Sequence, residues 1–152
     1  MRKAALTGLA LAGALLAAGC GGRDVVVRDD GGRVLVKAAL PESGRFALEY
    51  RHSYYRVPAR EQFEADGQHG ARFRMVGVES PSEAVLDYYA LAGAKTAGRW
   101  MALAPAHPRR FDRLPLIATT TGRRTLEVGG ERFPLYAKAP RHLTIEVKKR
   151  WP

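Results

Sequence analysis

Apolar and polar side chains alternate along residues 45–53, RFALEYRHS, and again along residues 142–148, HLTIEVK. Successive side chains of a β-strand point to opposite sides, so this period of two predicts strands with one buried face. The residues expected on the buried faces are Phe46, Leu48, Tyr50, His52, Leu143, Ile145 and Val147. Such segments bury their apolar face only by pairing into a sheet that packs against a second layer.

Glycine-containing turns separate several of these extended segments. Asp30-Gly31 lies between two β-branched runs in residues 24–38, and a Gly-Gly pair lies within residues 123–136. Tight hairpin turns need positive φ angles, which glycine adopts without steric cost. Both stretches therefore predict β-hairpins.

Residues 81–91, PSEAVLDYYAL, have the spacing of a short helix. Ser80 suits its N-cap, Pro81 its first position and Gly93 its end. Further strand candidates are residues 59–65, 72–78, 99–103 and 114–119. Pro115 restricts the last of these to an edge or irregular strand. Seven to nine short strands and one helix predict a mainly β fold, either an antiparallel sandwich or a small barrel.

The first 22 residues, MRKAALTGLALAGALLAAGCGG, have the pattern of an export signal. The apolar run from Ala4 to Ala18 has 15 residues, whereas a helix needs about 20 to cross the hydrocarbon core. This run therefore predicts a secretory signal rather than a permanent span. The small residues before Cys20 resemble a bacterial lipobox, in which the cysteine thiol accepts lipid. An ordinary signal peptide with a chance cysteine is the alternative.

Cys20 is the only cysteine in the chain, so no internal disulfide can form. Acyl chains such as palmitate on this thiol would anchor the protein stably, since each buried CH₂ adds about 0.8 kcal/mol. The predicted organisation is a lipoprotein signal peptide at residues 1–19, a lipid-anchored tether at residues 20–23 and a single β-rich domain at residues 24–150. We expect the domain on the outer face of the cytoplasmic membrane.

The chain carries a formal net charge of +10, which is typical of nucleic-acid-binding proteins. The export signal argues against that function, because an exported protein rarely meets nucleic acid. Attraction to anionic lipid headgroups and a solvated basic surface both stay open as interpretations of the charge.

The stretch YRHSYYRVPAREQF, residues 50–63, is the candidate site. An antiparallel pairing that matches the apolar faces puts Tyr50 opposite Phe63 and His52 opposite Glu61, with Leu48 opposite Ala65. Cross-strand neighbours have Cβ atoms about 5 Å apart. This register predicts a direct hydrogen bond between the imidazole and the carboxylate.

The predicted pair has a structural and a ligand-binding interpretation. In the first, Glu61 satisfies His52 and fixes the hairpin register. In the second, the pair lines a pocket whose rim includes Tyr54 and Arg56. Catalysis by Ser53 is not expected, because adjacent strand residues point to opposite faces and no nucleophile-elbow motif is present. We predict no metal site and no cofactor, since the histidines lack partners at ligand spacing.

The pattern F-x-L-x-Y-x-H-S from Phe46, followed by P-x-x-E-x-F from Pro58, resembles the bacterial family "domain of unknown function eighteen-fifty". The resemblance runs from about Val34 to Val147. It departs from the family at residues 81–91, where many members carry a glycine-rich loop. The resemblance implies a small exported or membrane-anchored protein, an accessory partner of TAXI-type TRAP transporters, which import organic acids.

These observations predict a non-enzymatic, lipid-anchored accessory protein. We expect it to bind a small organic acid or a TRAP transporter subunit near His52, Ser53, Tyr54, Arg56 and Glu61. The alternative is a structural or interaction module without a small ligand, in which His52 and Glu61 serve only the fold.

Overall fold

The computed structural model describes residues 22–67 and 70–150, which form twelve strands and one helix. The strands are β1 (Arg23–Asp29), β2 (Val34–Ala39), β3 (Arg45–Arg51), β4 (Pro58–Ala65), β5 (Phe73–Ser80), β6 (Gly93–Thr96), β7 (Met101–Pro105), β8 (Arg110–Phe111), β9 (Leu114–Ala118), β10 (Thr125–Val128), β11 (Glu131–Pro134) and β12 (Arg141–Lys149). The helix α1 (Glu83–Tyr88) lies between β5 and β6. The predicted signal peptide and Cys20 lie outside the described residues.

The strands form two antiparallel sheets that share one core. The smaller sheet has the order β2-β1-β12-β9, and the larger has the order β11-β10-β3-β4-β5-β7-β6, with β8 beside β5. Val25 and Ile145 from the smaller sheet and Leu48 and Phe63 from the larger belong to the same buried cluster. The predicted mainly β, antiparallel fold with one short helix is therefore confirmed, and of the two predicted architectures the two sheets correspond to the sandwich.

Three phenylalanines of the larger sheet pack together in this core. The rings of Phe46 and Phe63 stack with centroids 5.2 Å apart, and Phe73 meets them edge-on at 5.4 and 5.8 Å. All three are at most 4% exposed. Burying a side chain of this size contributes about 1.5–3 kcal/mol, so this cluster is a main source of stability.

Both predicted glycine hairpins are present. β1 pairs with β2, and β10 with β11 through a turn in which Gly129 and Gly130 have φ angles of 58° and 87°. β9, which contains Pro115, is an edge strand of the smaller sheet, as predicted. β6 was not predicted, because its four residues are all exposed and show no apolar alternation.

Helix α1 is shorter than the predicted segment 81–91, and its N-cap is Ser82 rather than Ser80. Ser80 is fully buried, and its Oγ donates to the Pro58 carbonyl at 2.9 Å while accepting from the Ser82 N–H at 3.2 Å. The helix ends before Gly93, because Ala90 already has a φ of 49°. The short helix covers the core with Val85 and Leu86.

The predicted register of the hairpin between β3 and β4 is wrong. Phe46 lies opposite Phe63, and Leu48, not His52, lies opposite Glu61. The turn spans residues 52–57, in which the His52 N–H donates to the Val57 carbonyl and the Arg56 N–H to the His52 carbonyl, both at 2.8 Å. The observed register differs from the predicted one by an even number of residues, so the side chains of β3 and β4 that face the core are still the predicted ones.

Within residues 22–67 and 70–150, no helix is long and apolar enough to span a membrane.

Candidate functional site

His52 begins the turn after β3 and is 5% exposed. Its Nδ1 accepts from the Tyr55 N–H at 3.3 Å, so the side chain stabilises its own turn. The ring lies 5.1 Å from that of Tyr55 and 4.8 Å from that of Tyr88, centroid to centroid. Burial lowers the pKa of His52, which keeps the imidazole neutral at pH 7.

Glu61 is bonded to a tyrosine hydroxyl instead of to His52. The Tyr89 hydroxyl donates to Glu61 Oε1 at 2.6 Å and is also hydrogen-bonded to the Tyr50 hydroxyl. This chain of three polar groups joins α1 to β3 and β4. In the described part of the chain, no hydrogen bond links His52 to Glu61, so the predicted direct pair is not formed.

All three ionisable groups of this hydrogen-bonded chain have raised pKa values. Burial raises the pKa of Glu61, and the Tyr89 hydroxyl and the Arg124 guanidinium oppose that rise. Burial and the nearby Glu61 carboxylate raise the pKa of Tyr50 to about 12. The same causes raise the pKa of Tyr89. The tyrosines thus stay protonated as donors, and Glu61 takes up a proton more readily than an exposed glutamate does.

A cavity of about 510 Å³ opens beside this chain at one end of the sandwich. We call it the Glu61 cavity, and its polar lining residues include Tyr50, Arg51, His52, Ser53, Glu61, Tyr89, Thr119, Thr121 and Arg124. The Arg124 guanidinium lies over the Tyr50 ring, 4.9 Å from its centroid, and its Nε donates to the Ile117 carbonyl at 3.0 Å. Guanidinium and hydroxyl donors around a cavity suit a small anion.

The structure separates the predicted site residues. His52, Ser53 and Glu61 line the Glu61 cavity, whereas Arg56 lines a neighbouring groove. Tyr54 is 79% exposed, and its ring packs edge-on against Tyr55 with centroids 5.0 Å apart. The predicted rim of Tyr54 and Arg56 is therefore not brought together with the carboxylate in one pocket.

Sequence reasoning did not select Tyr89 or Arg124 as site residues. The helical spacing indicates that one of Tyr88 and Tyr89 points inward, but it does not show which strand the hydroxyl meets. Arg124 reaches the cavity because the loop before β10 is tied to β3 by a 2.7 Å bond from the Arg51 N–H to the Gly122 carbonyl. No local sequence signal predicts that long-range contact.

Among the described residues, no group of three or more His, Cys, Asp or Glu side chains is placed to hold a metal ion. The side chains that line the Glu61 cavity offer hydrogen bonding, charge pairing and proton uptake.

No family model matches the chain, and neither a curated protein nor a solved structure does. The resemblance to the domain-of-unknown-function family therefore stays a prediction based on its motif residues.

Proposed function

We propose that this protein is an extracytoplasmic accessory protein that binds a small organic acid in the Glu61 cavity. The observation that carries the proposal is the hydrogen-bonded chain of Tyr50, Tyr89 and Glu61, which lies beside Arg124 at the wall of a cavity. The lipid anchor at Cys20 and the partnership with a TRAP-type transporter are parts of the proposal that rest on the sequence.

The size and donors of the cavity support an organic acid as ligand. Sites for small molecules typically enclose about 300–1,000 Å³, and this cavity has about 510 Å³. Arg51 and Arg124 offer guanidinium groups that pair with a carboxylate, while Thr119 and Thr121 offer hydroxyl groups. The apolar wall includes the exposed side chain of Ile117.

The protonation state of Glu61 controls whether the cavity can bind an anion. An ionised ligand and an ionised Glu61 repel each other in a partly desolvated cavity. Binding therefore favours the protonated form of Glu61, whose pKa is already raised by burial. These features support a ligand that binds as a carboxylate while Glu61 takes up a proton.

A thermal-shift screen of the purified protein against mono- and dicarboxylic acids tests the proposal. We expect a concentration-dependent rise in Tm with at least one acid, since a ligand that binds only the folded state stabilises it by mass action. Arg124→Gln should abolish that rise. Arg72→Gln is the matched control, because Arg72 is an exposed arginine paired with Asp112 outside the cavity. A screen without any ligand-dependent shift would count against the proposal.

The alternative function is an interaction module without a small ligand, and one contact favours it. The Tyr89–Glu61 hydrogen bond connects α1 to β4, which is a structural role in itself. In this case, changes at His52 and Glu61 alter Tm equally with and without organic acids. Recovery of a transporter subunit in a pull-down, with no organic acid binding, would favour this alternative.

A further inference from the structure

A second concave site lies on the outer face of the larger sheet, next to the Glu61 cavity, with which it shares Tyr50 and Arg51. Leu48 of β3 faces the core. Glu49 and Arg51 lie an odd number of residues further along the strand, so their side chains point away from the core. Together with residues of the flanking loops and of β11, they line a groove of about 470 Å³ that we call the arginine groove. Its charged and aromatic lining residues include Arg51, Arg56, Arg123, Arg132, Trp100 and Tyr136.

The positive charge of the arginine groove is not balanced within it. Arg132 pairs with Glu49 at 2.6 Å and also with Glu127. In the described part of the chain, the guanidinium groups of Arg56 and Arg123 have no hydrogen bond or ion pair. Four guanidinium groups thus face one carboxylate of the lining, so the groove offers several free donors to an external anion.

The backbone at the two unpaired arginines is strained. Arg56 has a φ of 59° and Arg123 a φ of 47°, and only one other non-glycine residue of the described chain, Ala90, has a positive φ. A side chain with a Cβ is disfavoured in this region, where glycine is the usual residue. Among the described residues, neither arginine side chain offsets that strain with a hydrogen bond or an ion pair. Strained residues of this kind are typical of ligand-binding sites.

The aromatic residues of the groove indicate the kind of ligand. Trp100 is 39% and Tyr136 37% exposed, although large aromatic side chains are usually more buried. Arginine, tryptophan and tyrosine are the residues most enriched at the energetic centres of protein interfaces. A groove on an outer sheet face also accommodates an extended segment.

The position of the groove disfavours the membrane as its partner, provided that the chain is anchored through its N-terminal end as proposed above. In the backbone pairing of β1 with β12, Arg23 lies opposite Lys149, at the end of β12 that is farther from the Glu61 cavity. The Arg23 side chain also donates to the Gly67 carbonyl, just beyond the end of β4 that pairs with Arg45. The arginine groove lies at the Arg51 end of β3, about 20 Å away along the strand.

We infer that the arginine groove binds a carboxylate-rich, extended segment of a partner protein, with Arg56 and Arg123 pairing its acidic side chains. The inference rests on Arg56 and Arg123, which line the groove but not the Glu61 cavity, so it and the organic-acid proposal can fail independently.

Fluorescence anisotropy with a fluorescein-labelled peptide of glutamate, alanine and tyrosine tests the inference on the full-length protein. The double variant Arg56→Gly and Arg123→Gly should weaken peptide binding about tenfold or more, with Tm unchanged or raised because glycine relieves the backbone strain. The matched control is Arg33→Gln and Arg72→Gln, which removes the same charge at exposed positions outside the groove. It should leave the affinity within about twofold, since exposed pairs contribute little.

Three outcomes would overturn the inference. Equal weakening by the groove and control variants would show a general effect of charge. A lower Tm with unchanged peptide affinity would show that both arginines serve the fold. Tighter binding of inorganic pyrophosphate or of phosphatidylglycerol vesicles than of the peptide would assign the groove to a small anion or to a membrane.

Discussion

Glu61 is a carboxylate that folding removes from water, and among the described residues no cation lies at hydrogen-bond distance from it. Its partner is the neutral hydroxyl of Tyr89, at 2.6 Å. Burial therefore dominates and raises the pKa of Glu61. At the pH where an exposed glutamate is fully charged, this side chain lowers the stability of the fold, a cost that often marks functional residues.

The variant Glu61→Gln should be more stable than the native protein at neutral pH. The folded pKa of Glu61 is raised above the ordinary value of 4.5, so the folded state binds more protons than the unfolded state in the window between the two pKa values. Stability is thus present below about pH 4.5 and is lost as the pH rises through the folded pKa. An amide has no such loss and still accepts the Tyr89 hydrogen bond.

Urea unfolding at several pH values measures this effect. We expect the variant to gain about 1 kcal/mol at neutral pH, or about 4 °C in Tm, and to lose that advantage near pH 4.5. A variant that is less stable than the native protein at every pH would mean that the ionised carboxylate stabilises the fold.

Organic acid binding should also depend on the protonation of Glu61. A bound carboxylate raises the pKa of Glu61 further, so binding takes up a proton and the affinity falls as the pH rises through that pKa. Isothermal titration calorimetry at about pH 5 and about pH 8 measures the change. In Glu61→Gln the affinity should no longer fall with pH, whereas an unchanged pH dependence would exclude Glu61 as its origin.

At the scale of the elements, the hydrogen bonds of Tyr89 hold α1 against the larger sheet. Tyr89 follows the helix directly and reaches both Tyr50 on β3 and Glu61 on β4. A helix of six residues is too short to be stable on its own. Its position therefore depends on these bonds and on the buried side chains of Val85 and Leu86.

Tyr89→Phe should destabilise the protein by about 1–3 kcal/mol, because the buried Glu61 loses its hydrogen-bond donor. Tyr88→Phe removes the same atom from the adjacent residue, which is 68% exposed, and should cost less than about 0.5 kcal/mol. Denaturant unfolding of both variants provides the comparison. Equal free energies of unfolding for the two would contradict a structural role for the Tyr89 hydroxyl.

The elements also show how far the sequence determines this fold. Alternation and glycine turns predict β3, β12 and both glycine hairpins, because these signals are local. The register of β3 and β4 is wrong because it depends on the length of the turn at residues 52–57 and on the packing of Phe46 against Phe63. Likewise, the partner of Glu61 could not be predicted, since Tyr89 arrives from another element.

At the scale of the whole molecule, both proposed sites lie at the same end of the sandwich and share Tyr50 and Arg51. Gly22 and Arg23 lie at the other end, where the Arg150 N–H donates to the Gly22 carbonyl at 2.7 Å. A lipid attached shortly before Gly22 would therefore turn the Glu61 cavity and the arginine groove away from the membrane surface. That orientation suits a protein that presents a ligand or docks a partner.

Cys20→Ser should release the protein from the membrane, because serine offers no thiol for the lipid and each lost acyl CH₂ removes about 0.8 kcal/mol of membrane affinity. Expression in a bacterial host followed by fractionation and metabolic labelling with a palmitate analogue measures the change. The native chain should label and sediment with membranes, whereas the variant should do neither. Ala17→Ser serves as the matched control, since it changes a neighbouring residue but leaves the thiol in place. A native chain that remains in the soluble fraction without label would favour an ordinary signal peptide, and no lipid would then orient the two sites away from the membrane.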